Sequence, residues 1–161
     1  MTDESGLRNL MTSMVDEGLK RLDTGGTFLD LLREQPADAV QREHTDRDGF
    51  HFFTFGNHPI MVDTDGWTLR IQCLGVSVDD IAVEVMQVLR HHDPGARYDR
   101  TIPRPRIANE GKIWHGNRCI GVCVRSQPVP IGKDVGDWRD GTVVILSVLD
   151  NGGRTVERSR F

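Results

Sequence analysis

The sequence predicts an α+β fold: N-terminal helices and one central helix packed on an antiparallel sheet made of a three-stranded meander and two C-terminal hairpins. Two observations carry this. The dipeptides Gly56-Asn57, Asp65-Gly66, Gly116-Asn117 and Asn151-Gly152 each separate stretches of strand-like composition, and glycine or asparagine supplies the positive φ that a tight hairpin loop requires. Two further segments repeat apolar residues at helical spacing and end in glycine or proline. The resulting order is α-α-β-β-β-α-β-β-β-β, and a chain of 161 residues in this pattern is expected to form a single domain, residues 1–161, around one core.

Leu7, Leu10, Met11, Met14, Val15, Leu19 and Leu22 recur at i, i+3, i+4 and i+7, which predicts an amphipathic helix from Gly6 to Asp23, stopped by Gly25-Gly26. Thr27 is placed to cap a second, short helix from Phe28 to Gln35, which Pro36 ends. Residues 37–48 are polar and read as a helical extension or a loop. Phe50–Phe55, His58–Asp63 and Trp67–Leu74 form the meander. Two-residue loops would set Phe53 opposite Ile60, His51 opposite Val62, Val62 opposite Leu69, Ile60 opposite Ile71 and His58 opposite Cys73. Phe53, Phe55, Ile60, Val62, Leu69, Ile71 and Cys73 then share a core face. Phe50, Phe52 and Met61 fall on the other face with Thr68, Arg70 and Gln72.

Ser77, followed by Asp79 and Asp80, marks the start of the central helix, which runs to His92 with Ile81, Val85, Val88 and Leu89 as its stripe. A helix, a three-stranded meander and a second helix in this order are similar to the opening of type III secretion chaperone-like folds, from which the C-terminal half departs. Ala96–Asn109, with Pro103 and Pro105, is expected to be an extended, exposed connection. Lys112–His115 and Arg118–Arg125 form a hairpin, Ser126–Gly141 a long loop, and Thr142–Leu149 an apolar central strand. Arg154–Phe161 alternates arginine with smaller residues and is expected to pair with that strand as a charge-guarded edge.

A net charge of −4 argues against wholesale electrostatic binding of nucleic acid. No apolar run reaches the roughly 18 residues that a membrane span needs. The start Met1-Thr2-Asp3-Glu4 lacks the basic and apolar segments of a signal peptide. Cys73, Cys119 and Cys123 are an odd count without the spacing of a disulfide scaffold, so a reducing, cytoplasmic compartment is expected.

His115, Cys119 and Cys123 have a spacing reminiscent of metal ligands. On a strand, however, residues four apart are separated by roughly 13 Å, too far for one zinc ion or a disulfide. They are expected to be reduced structural thiols, with neither metal nor cofactor bound. His58 opposite Cys73 is a candidate nucleophile pair, and Asp134, Asp137 and Asp140 around Trp138 are candidate loop carboxylates. His91-His92-Asp93 closes a helix whose consecutive side chains diverge, so solvation and interaction with the helix dipole are expected there. Asp46-Arg47-Asp48-Gly49 and Asp63-Thr64-Asp65-Gly66 begin like calcium loops but lack the glutamate at the twelfth position, and are read as turns. Phosphate-binding glycine loops and the GxSxG and HExxH signatures are missing.

Two stretches suit binding. Arg97, Tyr98, Arg100, Arg104 and Arg106 combine guanidinium forks with an aromatic ring and could lie along an anionic surface. Phe50, Phe52, Met61 and Arg70 make a mixed patch of the kind found at contacts with a protein partner or a second copy. The expected function is a noncatalytic binding or assembly protein acting through protein–protein contacts, of the phage or virion component, secretion adaptor or inhibitor type. The alternatives are a small enzyme using His58/Cys73 or the Asp134–Asp140 loop, and a nucleic-acid-binding module using the Arg97–Arg106 arm.

Overall fold

The first helix, α1 (Glu4–Asp23), starts with an acid and ends with Lys20 and Arg21, the charge order that the helix dipole favours. Its apolar stripe is buried at Leu7, Met11, Met14, Val15, Leu19 and Leu22. This computed structural model describes residues 4–33, 42–45, 51–54, 59–103, 105–129 and 139–149. The short helix α2 (Phe28–Arg33) has a reciprocal cap. Thr27 Oγ1 accepts from the Leu29 amide at 3.3 Å, and the Asp30 carboxylate accepts from the Thr27 amide at 2.8 Å. In the central helix α3 (Val78–His92), the Ser77 hydroxyl caps by accepting from the Asp80 amide, and Val78, Ile81, Ala82, Val85, Met86 and Leu89 are buried.

Among the described residues eight strands form one sheet: β1 (Arg42–Thr45), β2 (His51–Thr54), β3 (Ile60–Thr64), β4 (Thr68–Cys73), β5 (Tyr98–Ile102), β6 (Ala108–His115), β7 (Arg118–Val129) and β8 (Arg139–Leu149). Their order is β1-β2-β3-β4-β8-β7-β6-β5, with every neighbouring pair antiparallel. The expected α+β class is therefore the observed one. α1 and α3 pack against one face. There Ile60, Val62, Leu69, Ile71 and Cys73 join Ile113, Ile120, Val122, Val124, Val144, Leu146 and Val148 in a single core with both helices. Gly18 lets α1 come close, since a Cβ there would lie 3.2 Å from the Phe28 ring and 3.3 Å from Leu69. Arg8 ties the two helices together at their solvent edge, donating from Nε to Glu84 at 3.1 Å while its Nη1 pairs with Glu4 at 3.0 Å.

Several sequence expectations need correction. The meander is slid by two residues relative to two-residue loops: Phe53 faces Val62, Val62 faces Ile71, Ile60 faces Cys73 and Thr64 faces Leu69. Side chains in the β3–β4 turn explain the shift between those two strands. Asp65 Oδ1 accepts from the Trp67 and Thr68 amides at 2.9 and 2.8 Å, and Thr64 Oγ1 accepts from the Gly66 amide at 2.9 Å while donating to the Thr68 carbonyl. These bonds build a wider turn than Asp-Gly alone would. A slip of two preserves strand parity, so Ile60, Val62, Leu69, Ile71 and Cys73 keep the expected core face, but Ile60 rather than His58 sits opposite Cys73. Gly56-Asn57, Phe55 and His58 lie outside the described residues.

Arg42–Thr45, expected as helix or loop, is strand β1 and pairs with β2. The supposed connection from Ala96 contains edge strand β5. β7 and β8 extend the pairing to Val129 and Arg139, well into the expected long loop. The Gly116-Asn117 hairpin is as expected: His115 faces Arg118, with Gly116 at φ 65°. Residues 154–161 lie outside the described ones, and the place expected for them is filled, because β4 and β7 occupy both edges of β8.

Ile71 has no exposed surface. Replacing it with Ala should cost about 2–5 kcal/mol in chemical denaturation, the range for a buried cavity. A loss below about 0.5 kcal/mol, typical of surface substitutions, would contradict the core assignment.

Candidate functional site

Side chains alternate across each strand, so register alone defines the sheet face turned away from α1 and α3. Trp114, Cys119 and Leu149 form one cross-strand row on that face, and Lys112, Gly121, Ser147 and Thr68 form the next. A third row runs Glu110, Cys123, Ile145, Arg70 and Asp63, and ends at the register position of Phe52. A concavity of about 490 Å³ opens among Arg100, Glu110, Lys112, Cys123, Ile145 and Leu149. Gly121 makes its floor shallow, with Leu149 carbons 3.4–3.6 Å from where a Cβ would stand. Trp114 is 63% exposed beside it.

Asp63 is fully buried on this face. Arg70 Nε donates to both its carboxylate oxygens, at 2.9 and 3.0 Å, Arg70 Nη2 also donates, and Gln72 Nε2 adds a bond of 3.2 Å. Asp63, expected as a turn residue, is thus the centre of a charged network. Arg70, expected at an interface, spends much of its fork on it. Met61 is half-buried on the same face, and Phe50 lies outside the described residues.

The arginine segment contains edge strand β5, with Arg97 just before it and Arg106 beyond its end. The Tyr98 hydroxyl donates to the Ala82 carbonyl at 2.7 Å, and burial pushes the phenol well above its usual range. Arg97 pairs with Asp99 at 3.5 Å and Arg100 approaches Glu110 at 4.0 Å. Arg106 is exposed, and Arg104 lies outside the described residues. Interleaved acids therefore offset part of the expected positive field.

His115 is separated from Cys119 and Cys123 by strand parity, since the thiols project from the opposite face. Its partners come instead from the helices. His115 Nε2 lies 2.7 Å from Asp23 Oδ1 and 3.1 Å from the Leu19 carbonyl. His92 Nε2 lies 2.7 Å from Asp16 Oδ1. The two imidazoles meet edge to face, with centroids 4.9 Å apart. Burial alone would raise the Asp16 carboxyl, but hydrogen bonds from His92 and Lys20 hold it below the usual carboxylate range. Among the described residues Asp23, His92 and His115 form a potential ligand group, with donor atoms all within 4.8 Å of one another. Sequence spacing hid this cluster. The one local signal was Asp16 and Asp23 seven residues apart on one face of α1, aligned with Leu19.

The other candidate nucleophile does not form as expected. Burial pushes the Cys73 thiol up to about 12, and Cys123 is also raised, chiefly by burial and against the charge of Arg125. Asp140 is exposed on β8, while Asp134 and Asp137 lie outside the described residues. No family model matches the chain, and no curated protein or solved structure matches it.

Two outcomes follow from this geometry. Arg70→Ala strands a buried carboxylate and should cost about 3 kcal/mol; a loss under about 1 kcal/mol would mean that Asp63 reaches water in its absence. Cys73 should resist labelling by a disulfide reagent at pH 8 until the protein unfolds, because only the thiolate reacts. Its folded value lies above the ordinary 9.0, so the folded state keeps a proton that the unfolded chain releases, and this contribution to stability is lost as pH rises from 9 towards 12. Prompt labelling of the folded protein would contradict both statements.

Proposed function

We propose that this chain is a noncatalytic binding and assembly protein that associates with a second copy of itself through the sheet face turned away from its helices. The observation that carries the reading is the row Trp114, Cys119 and Leu149, with Trp114 63% exposed. A solvated face of an antiparallel sheet is ordinarily polar, and an aromatic anchor beside aliphatic side chains is what dominates protein interfaces.

The choice of occupant rests on charge. Lys112 and Arg100 alternate with Glu110 and Asp99 around the concavity. A two-fold axis brings identical surfaces together, so a patch carrying both signs in adjacent positions can set each against its opposite. A patch of one sign would repel its own copy. The raised thiols and the carboxylate-paired histidines support a noncatalytic role, and the acids interleaved with Arg97 and Arg100 weigh against a phosphate-binding arm. A virion component, a secretion adaptor and an inhibitor would each act through such a surface, in the reducing cytoplasm that three free thiols suit.

Sedimentation equilibrium over a range of concentrations tests this. The wild-type chain should be a dimer, and Trp114→Glu should shift it to a monomer that still unfolds cooperatively, with a midpoint no longer dependent on protein concentration. A monomer at every concentration, or a dimer indifferent to Trp114→Glu, would overturn the reading.

A further inference from the structure

We propose that Asp23, His92 and His115 form a binding site for a zinc-class divalent cation, with Asp16 orienting His92. The site lies on the helical side of the sheet and is independent of the self-association surface.

The donor set comes first. Two imidazoles and a carboxylate offer ligand atoms within 4.8 Å of one another, and imidazole nitrogen with carboxylate oxygen suits zinc and its first-row neighbours rather than calcium or magnesium. Tetrahedral bonds of about 2.0–2.2 Å place ligand atoms about 3.4 Å apart. The 2.7 Å contact between His115 and Asp23 therefore has to open slightly while the wider separations close, by side-chain movements on the order of 1 Å.

Electrostatics is the second, independent argument. α1 ends at Asp23 and α3 ends at His92, so two helix C-termini converge on the cluster. Each such end carries a partial negative charge of about half a unit on its free carbonyls. The Leu19 carbonyl lies 3.1 Å from His115 Nε2, and Asp16 and Asp23 add two full negative charges. Against this stands Lys20, which pairs with Asp16 at 3.0 Å but is more than half exposed and can swing into solvent.

Access and order complete the argument. His115 is only 7% exposed, which holds one ligand rigidly on β6. A concavity of about 470 Å³ lined by Thr12, Asp16, Lys20, Val88, His91 and His92 opens the other side to solvent. Asp16, 2.7 Å from His92 Nε2, leaves Nδ1 of that ring to ligate the cation and would fix its orientation as carboxylate partners of ligating histidines do. A bound cation would join α1, α3 and β6 at one point.

The test titrates Zn2+ alone into the chelator-treated full chain against a competing chromophoric indicator, with thermal denaturation in parallel. One equivalent should bind and raise the thermal midpoint. His92→Gln and His115→Gln should abolish that binding, and Asp16→Asn should weaken it about ten- to a hundredfold. Cys119→Ser with Cys123→Ser should change nothing. Should His115→Gln fail to fold, Asp23→Asn decides, because Asp23 is 54% exposed and contributes little to packing; it too should lose the midpoint shift. Absence of a stoichiometric site, binding that survives the histidine variants, or binding lost with the cysteines would each overturn the proposal.

Discussion

Every layer of this protein depends on β8 pairing with β4 along one edge and β7 along the other. Thr142–Ser147 face Cys73–Thr68 while the whole of Arg139–Leu149 faces Val129–Cys119. Without that strand the sheet falls into a four-stranded piece, β1 to β4, and a three-stranded piece, β5 to β7. β8 is suited to the position because it is apolar on both faces: Val143, Val144 and Leu146 have no exposure and Val148 has 5%. Continuous hydrophobicity of this kind belongs to a strand flanked on both edges, here with the helices over one side. The cost is entropic, since β4 must find a partner some seventy residues further along the chain, and such closures slow folding more than they weaken the folded state.

Given that joint, the two faces of the sheet acquire different chemistry. The helical side is covered by α1 and α3, and its histidine cluster sits at the rim where the two helices end. His92 and His115 gather there because the last turns of both helices lie over β6, and each imidazole is held by a carboxylate of α1. The other side carries its charge in the plane of the sheet. The buried Asp63 is satisfied by Arg70 and Gln72 from the neighbouring strand, while the end nearest β6 keeps Trp114 and a border of mixed charge. The proposed self-association surface and the proposed cation site thus occupy opposite sides of one core, and a change at either need not disturb the other.

The helices were legible residue by residue. Their stripes, the Ser77 cap and the Thr27 cap all follow from local spacing, and local spacing is what an isolated sequence displays. The alternation in β3 and β4 was equally legible, so the core face was correct even though the register was two residues out. The error came from Thr64 and Asp65, whose side chains rebuild the turn in a way the Asp-Gly pair does not reveal. Arg42–Thr45 escaped because its composition is polar and its strand character comes from β2 alongside it. The partners of β8 were not legible either: its apolar run announces a central strand without naming neighbours. His115 was read with the cysteines beside it in sequence, whereas its contacts arrive from α1 and α3. Proximity along a strand misled there, because parity sends His115 and Cys119 to opposite faces.

Native-state hydrogen exchange tests the role of β8 most directly. The amides of Val143, Val144, Ile145 and Leu146 should exchange only through global unfolding, with the same free energy as those of Ile71 in β4 and Val122 in β7. Exchange of β8 at a markedly lower free energy, or separate opening of the β1–β4 and β5–β7 halves, would contradict the claim that this one strand holds the fold together.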